Sequence, residues 1–202
     1  MFRRCHATPI RLIAVLGAAV FAMSSAACVS GGQDAATTSS VPSSFVATDE
    51  VADVMEADVP DGWVEFPPDP PLEYFASSDG SYGLDAPSIH VTRFAPAALR
   101  ASGRDGSFGL ESRLIDVLQS LVGEHDATDV EVLPARFIDG NPAWGYTYIE
   151  TGMETGRPKR WECWMVGRHD GLWNIKLRSA PGQTELPSEL DGVLDTITWR
   201  EP

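Results

Sequence analysis

The amino-acid sequence predicts an α+β fold, in which an antiparallel β-sheet has a long helix and a C-terminal helix packed against it. Apolar residues recur at helical spacing over 107–122, several short strands separated by turn residues follow between 130 and 179, and a second helical pattern covers 188–198. Strands that are consecutive and joined by short turns pair antiparallel. Each helix has one apolar stripe, which we expect to pack against the sheet.

Residues 1–27 have the three parts of a signal peptide. Arg3, Arg4 and Arg11 give a positive start, an apolar segment covers 12–23, and small residues follow. The apolar segment is shorter than the roughly 20 residues that a membrane-spanning helix needs. The sequence therefore predicts export and disfavours a retained transmembrane helix.

Cys28 follows a run of small residues that resembles the lipobox of bacterial lipoproteins. In a lipobox the cysteine is acylated and becomes the first residue of the mature chain. Leu is usual three residues before that cysteine, whereas this chain has Ser25, and an ordinary signal peptidase would also accept Ser25 and Ala27. We predict a lipoprotein with palmitate at Cys28, anchored to the outer face of the cytoplasmic membrane, with plain secretion as the alternative.

The predicted mature chain consists of a tether over 28–47 and one extracytoplasmic domain over 48–202. The tether is mostly Gly, Ser, Thr, Ala and Gln and has few large apolar groups to bury, so we expect it to be disordered. Cys5 leaves with the signal peptide and Cys28 would be acylated, which leaves Cys163 without a disulfide partner. We expect Cys163 to be a small buried apolar residue in a strand.

The formal net charge is −14, and three of the basic residues lie in the signal peptide. This acidity argues against nucleic acid as a partner and against adsorption to anionic lipid. The basic residues are almost all arginine, and Ala, Gly and Val are abundant, which favours a GC-rich, actinobacterial source.

The remaining elements follow from local patterns. Ser107 is a good N-cap for the long helix, and Gly123 ends it. In the last strand, Trp173, Ile175 and Leu177 share one face, while Asn174, Lys176 and Arg178 share the other, which predicts burial on one side only. A short helix is predicted over 48–57, and strands are predicted over 63–66, 72–76, 88–94, 130–133, 144–151, 160–168 and 172–179.

Several of these segments together resemble a known family. They are the Val-Pro-Asp-Gly-Trp segment at 59–63, the Asp-Gly-Asn-Pro-Ala turn at 139–143, the strands that follow it, and the Ile-Thr-Trp ending at 197–199. This pattern is similar to the PsbP-like fold, and more narrowly to the LpqN-type lipoproteins of mycobacteria and their relatives. The resemblance implies a non-enzymatic binding or adaptor protein of the cell envelope, with a protein partner or a lipid as ligand and a role in lipid handling.

The sequence contains no motif that predicts catalysis, a metal or a cofactor. The Gly-Ser-Tyr-Gly and Gly-Ser-Phe-Gly segments at 80–83 and 106–109 have the wrong spacing for a nucleophile elbow. After processing, His90, His125 and His169 are too far apart in sequence for a zinc motif. The alternative function is an envelope hydrolase whose Ser or Cys nucleophile meets its His only in the fold.

Aromatic residues on two neighbouring strands are the remaining candidates for a site. Trp144 and Tyr148 share one face of a strand by period-two spacing, and Trp164 lies on the next strand. If one face of the sheet is partly open, Trp144, Tyr148 and Trp164 would border a ligand groove. Large aromatic residues are also typical core residues, so burial in the core is the other interpretation.

Overall fold

The computed structural model describes residues 40–82, 85–101, 107–124, 127–152 and 156–202. The predicted signal peptide, Cys28 and most of the predicted tether lie outside the described residues. No helix within the described ranges is both long and apolar enough to cross a membrane.

The described residues form strands for the most part, with a few helices between them. In chain order the elements are β1 (Ser44–Val46), β2 (Val54–Glu56), β3 (Val64–Phe66), β4 (Leu72–Ser77), β5 (Ser88–Phe94), α1 (Pro96–Ala101), β6 (Ser107–Gly109), α2 (Leu110–Glu124), β7 (Thr128–Ile138), β8 (Asn141–Thr151), β9 (Pro158–Arg168), β10 (Gly171–Arg178), a 3₁₀ turn (Ser188–Leu190), α3 (Val193–Thr196) and β11 (Thr198–Arg200).

The predicted α+β class is confirmed, because a large antiparallel sheet dominates the fold and a few helices pack against it. Its seven strands have the order β3-β4-β5-β10-β9-β8-β7. The four strands from β7 to β10 form a meander. Asp139 and Gly140, with φ values of 46° and 73°, connect β7 to β8 in a two-residue turn of the kind that matches strand twist.

One face of the sheet, which we call the helix face, is covered by α2 and by the pair of β1 with β6. Leu114 and Leu121 of α2 and Phe45 of β1 pack there against Cys163 and Met165. The rings of Phe45 and Phe108 lie 5.5 Å apart and join β1 to β6. This layer places α2 above β8 and β9.

The other face of the sheet, which we call the C-terminal face, is covered by the last segments of the chain and by β2. Leu190, Val193, Leu194 and Ile197 cover this face, together with Met55 of β2. The sheet residues buried beneath them include Ile89, Val91, Ala143, Trp164, Val166, Trp173, Ile175 and Leu177. Both faces are therefore packed over most of their area, and the predicted grouping of Trp173, Ile175 and Leu177 on one face is confirmed. The prediction that β10 is buried on one side only is wrong, because Arg178 on the opposite face is fully buried.

Several local predictions differ from the structure. The folded domain begins before residue 48, because Ser44–Val46, predicted as part of the disordered tether, forms β1 and pairs with β6. The long helix begins at Leu110 rather than at 107, because Ser107–Gly109 pairs with β1 as β6. The C-terminal helix over 188–198 is replaced by a 3₁₀ turn, the four-residue α3 and β11. Gly192 has a left-handed φ of 80° and Ile197 is extended, so a continuous helix is interrupted at both positions.

No helix forms over 48–57 either. The backbone N–H groups of Thr48 and Asp49 donate to the carbonyl oxygen of His169, and that of Asp53 donates to the Asp170 carboxylate. These long-range bonds hold the segment, which bends at Glu50 and Val51, against the turn between β9 and β10, and it then leads into β2 and its pairing with β11.

Candidate functional site

The structure does not bring the three predicted groove residues together. Trp144 and Tyr148 lie on the helix face, as their period-two spacing predicts. Trp164 lies on the C-terminal face, where only 4% of the side chain is exposed. Tyr148 and Trp164 are therefore separated by the thickness of the sheet.

A groove runs between α2 and the uncovered part of the helix face. Because α2 lies above β8 and β9, the neighbouring strand β10 is left open beside it. We call this the α2 groove; its volume is about 430 Å³. Tyr148 lines it, and its other lining residues include Phe94, Arg113, Tyr146, Glu150, Met165, Asn174 and Lys176.

A second cavity of about 280 Å³ adjoins the α2 groove, because Phe94 and Arg113 line both. We call it the apolar cleft; its remaining lining includes Phe45, Leu99, Phe108, Leu110 and Leu172. These side chains come from β1, α1, β6, α2 and β10. The cleft therefore forms where the N-terminal segment, α1 and α2 meet the sheet. The two cavities together give a site with an apolar end and a polar end.

The hydroxyl groups of Tyr146 and Tyr148 in the groove, and the thiol of Cys163 next to Tyr146, stay protonated. Burial is the main cause that raises the pKa of Tyr146 and of Tyr148 above its ordinary value. Burial also raises the pKa of the Cys163 thiol to about 12. These groups can donate or accept hydrogen bonds at neutral pH, but Cys163 is not available as a thiolate nucleophile.

Trp144 has a structural role at the edge of the helix face. Its indole Nε1–H donates a hydrogen bond to the carbonyl oxygen of Pro42 at 2.9 Å. The backbone N–H of Leu110 donates to the carbonyl oxygen of Ser43. The two bonds fix the start of the folded domain onto the sheet and α2, so Trp144 holds the N-terminal segment that forms one wall of the apolar cleft.

A serine and a histidine meet on the helix face. Ser88 Oγ and His90 Nε2 lie 2.8 Å apart on β5. Burial first, and then the positive charges of Arg178, Lys176 and Lys159, lower the pKa of His90 to about 3. A general base works best with a pKa near the operating pH, and Ser88 has no exposed surface. The pair is therefore badly suited to hydrolysis.

The other described histidine, His169, lies at the surface between two carboxylates. Its Nδ1 is 3.0 Å from Asp49 and its Nε2 is 3.2 Å from Asp53. Neither the Ser88 hydroxyl nor the Cys163 thiol takes part in this cluster. No group of three or more His, Cys, Asp or Glu side chains in the described part of the chain has the arrangement of a metal site.

Sequence reasoning missed most of the residues that line the α2 groove. It assigned Lys176 to the polar face of its strand, and Arg113 belongs to no motif that would mark it as a site residue. One signal could have suggested that Lys176 lines a site. Its strand lies between two others, and its neighbours on the same face are His90 on β5 and Cys163 on β9. That signal depends on strand order, which the sequence did not supply.

No family model matches the sequence, and the search of curated proteins also gives no match. Among solved structures, the chain is similar to LpqN of Mycobacterium tuberculosis, described as involved in cell envelope biogenesis. The TM-score is 0.47 at 14% identity, over 77% of this chain and 90% of that chain. A protein of Bacteroides thetaiotaomicron has a TM-score of 0.42 at 12% identity, over 73% of this chain and 46% of that chain. The LpqN-like structural resemblance predicted from the sequence is thus found, and it concerns the fold alone.

Proposed function

We propose that this chain is a lipid-anchored, non-enzymatic binding protein of the cell envelope, which holds an amphipathic ligand in the α2 groove and the apolar cleft. The observation behind this proposal is that the two cavities adjoin at Phe94 and Arg113 and differ in polarity. One end of the site is walled by Phe45, Leu172 and other apolar side chains. Such a site suits a molecule that is itself apolar at one end and polar at the other.

The size and lining of the site support a small ligand. The cavities of about 430 and 280 Å³ are comparable to the roughly 300–1,000 Å³ of typical small-molecule sites. Tyr146, Tyr148 and Met165 supply apolar surface in the groove, and the tyrosines add polar atoms that can orient a ligand. This arrangement supports binding without a chemical step.

Binding is tested with the neutral, apolar fluorophore N-phenyl-1-naphthylamine. Phe94 is 40% exposed and lines both cavities, whereas Phe137 is 42% exposed and lies on β7, outside them. We expect saturable binding to wild type, a loss of about tenfold in affinity for Phe94→Ser, and no change for Phe137→Ser. Absence of saturable binding, or equal loss in both variants, would overturn the proposal.

A second measurement identifies what the protein holds in its native envelope. We expect mass spectrometry of organic extracts from the purified wild-type protein to give an amphiphile that is depleted in extracts of Phe94→Ser. Equal recovery of every extracted species from both proteins would contradict a ligand in these cavities.

The alternative function is a hydrolase. The low pKa of His90 and the burial of Ser88 and Cys163 argue against it. A serine-directed probe should label neither the folded nor the denatured chain, because no serine is activated, and a thiol-directed probe should label Cys163 in the denatured chain only. Labelling of the folded protein at a single Ser or Cys, with loss of labelling on denaturation, would favour the hydrolase.

The anchor is proposed from the sequence around Cys28. A tether from that residue would enter the folded domain near Pro42, which accepts the hydrogen bond of Trp144. Wild type should incorporate palmitate and have the mass of an acylated chain that begins at Cys28, and Cys28→Ser should not. An unmodified, secreted wild-type chain would remove the anchor from the proposal and leave the binding site untouched.

A further inference from the structure

Two basic side chains in the α2 groove, Arg113 and Lys176, differ from most other basic side chains of the described residues in having no ion pair with a carboxylate. Within the described residues, neither Arg113 nor Lys176 makes a side-chain hydrogen bond or an ion pair. In contrast, ion pairs to carboxylates are made by Arg93, Arg100, Arg136, Lys159, Arg160, Arg168 and Arg200. The chain has a large excess of acidic residues, with a net charge of −14. Two cations without a counterion in the same groove are therefore unusual for this chain.

The surroundings of Lys176 make its lack of a partner costly. Lys176 is partly buried on β10, and its cross-strand neighbours are His90 on β5 and Cys163 on β9. An ammonium group beside aromatic and apolar side chains has lost part of its hydration and gains no carboxylate in return. A bound anion would supply the missing interaction.

Arg113 lies across the groove from Lys176. It is exposed on α2 and lines both the α2 groove and the apolar cleft, so it stands where the polar end meets the apolar end. Its guanidinium presents several donors in a planar fork that fits the oxygens of a carboxylate or phosphate. The two cations therefore face the groove from its two walls.

The acidic residues of the groove leave room for an anion beside these cations. Glu150 accepts a hydrogen bond from Trp161 Nε1 at 2.9 Å and pairs with Lys159 at 3.5 Å, so its charge is already balanced. Asp116 is the other carboxylate in the lining, and it lies on the exposed side of α2, where water screens its charge. Neither carboxylate forms an ion pair with Arg113 or Lys176 in the part of the chain that the structure describes.

We infer that the α2 groove binds an amphiphile with an anionic head, which lies between Arg113 and Lys176 while its apolar tail lies in the apolar cleft. This inference rests on the proposed function, because it names the chemical class of the ligand for the same site. The tail would contact Phe45, Leu99 and Leu172, whose side chains are apolar.

The test is calorimetric titration of the mature protein with decanoate, 1-decanol and decyltrimethylammonium, each below its micelle concentration or solubility limit. The three have unbranched alkyl tails that differ by at most one carbon, and their heads are anionic, neutral and cationic. We expect decanoate to bind at least about tenfold more tightly than decanol, and the cationic amphiphile to bind most weakly.

Four variants locate the head group. Lys176→Gln and Arg113→Gln should each weaken decanoate about tenfold and leave decanol unchanged. Lys176→Arg keeps the charge and should retain decanoate binding, which separates charge from any effect on folding. Arg136→Gln, which removes a cation paired with Asp195 away from the groove, should change neither ligand.

The outcomes separate this inference from the proposed function. Suppose that decanol binding depends on Phe94, but decanoate binds no more tightly than decanol or is unaffected by Lys176→Gln and Arg113→Gln. The inference of an anionic head is then wrong, while the proposed binding site is retained. If neither decanoate nor any neutral apolar probe binds wild type, the proposed function fails and the inference with it.

Discussion

The ring of Trp164 lies directly over Gly145, its partner across the β8–β9 pair. A Cβ atom at position 145 would stand 2.7 Å from the Trp164 ring, closer than real contacts allow. The indole Nε1–H of Trp164 donates to Glu162 at 2.8 Å, and the Arg136 guanidinium lies 5.7 Å from the ring centroid. Glycine at 145 thus makes room for a buried tryptophan in the middle of the sheet.

We predict that Gly145→Ala lowers the free energy of unfolding by about 1–3 kcal/mol, the usual cost of forcing extra atoms into a packed core. Glycine is intrinsically unfavourable inside a strand, so backbone entropy alone would predict the opposite sign. Urea unfolding followed by circular dichroism measures the change.

The matched control is Gly123→Ala in α2, where a Cβ would meet no atom within 4 Å. Alanine is preferred over glycine in a helix, so this variant should gain up to about 1 kcal/mol. A neutral or stabilising Gly145→Ala would contradict the contact between Trp164 and Gly145.

The stability of the domain should depend on pH through His90. Burial, with the charges of Arg178, Lys176 and Lys159, lowers the pKa of His90 to about 3, whereas an exposed histidine has a pKa of about 6.5. Between these values the unfolded chain binds a proton that the folded chain does not. The contribution of His90 to the free energy of unfolding is therefore highest above pH 6.5 and decreases as the pH falls toward 3. At pH 5 the decrease due to His90 is about 2 kcal/mol.

The comparison of wild type with His90→Gln isolates this contribution from those of the carboxylates. Urea unfolding at pH 7 and pH 5 should show a steeper loss of stability for wild type than for the variant. Equal losses in the two proteins would mean that His90 is protonated as easily in the folded chain as in the unfolded one.

Cys163 should be unreactive in the folded protein. Its side chain is 2% exposed, and burial raises the pKa of the thiol to about 12, so almost no thiolate forms at pH 8. In the Cys28→Ser mature chain, Ellman's reagent should react with less than one thiol in native buffer and with one thiol in urea. Rapid reaction of the native protein would contradict the burial of Cys163 and reopen a nucleophilic role.

The fold class could be predicted because its main elements have strong local signals. The turn at Asp139 and Gly140, the alternation of Trp173 with Ile175 and Leu177, and the apolar stripe of α2 are all visible in the sequence. The C-terminal helix was predicted wrongly at 188–198, since β11 depends on pairing with β2, more than a hundred residues away. Local periodicity does not contain that contact.

The candidate site was less predictable than the fold. Spacing placed Trp144 and Tyr148 on one face, but the face of Trp164 depends on the register between β8 and β9, in which Trp164 opposes Gly145. Lys176 enters the groove because β10 lies between β5 and β9. Cavities arise from such long-range arrangements, which is why Arg113 and Lys176 were not recognised as lining residues.

A buried charge cluster fastens the N-terminal segment to the turn between β9 and β10. The Arg168 guanidinium, 5% exposed, bonds to Asp53 and lies 3.2 Å from the fully buried Asp170 carboxylate. Asp170 also accepts hydrogen bonds from Trp173 Nε1 at 3.0 Å and from the backbone N–H of Asp53 at 2.9 Å. Arg168 thus pairs with two carboxylates that the fold has withdrawn from water, and its single positive charge balances one of their two negative charges.

We predict that Arg168→Met lowers the free energy of unfolding by about 3–5 kcal/mol, because it leaves the buried Asp170 without a counter-charge. The matched control is Arg100→Met, which breaks a pair with Glu50 whose side chains are 47% and 49% exposed and should cost at most about 1 kcal/mol. Urea unfolding of both variants measures the difference. A carboxylate that is buried away from water costs much free energy when its counter-charge is removed. Similar small losses in the two variants would therefore mean that water reaches Asp170, and that the cluster is not what holds residues 48–53 in place.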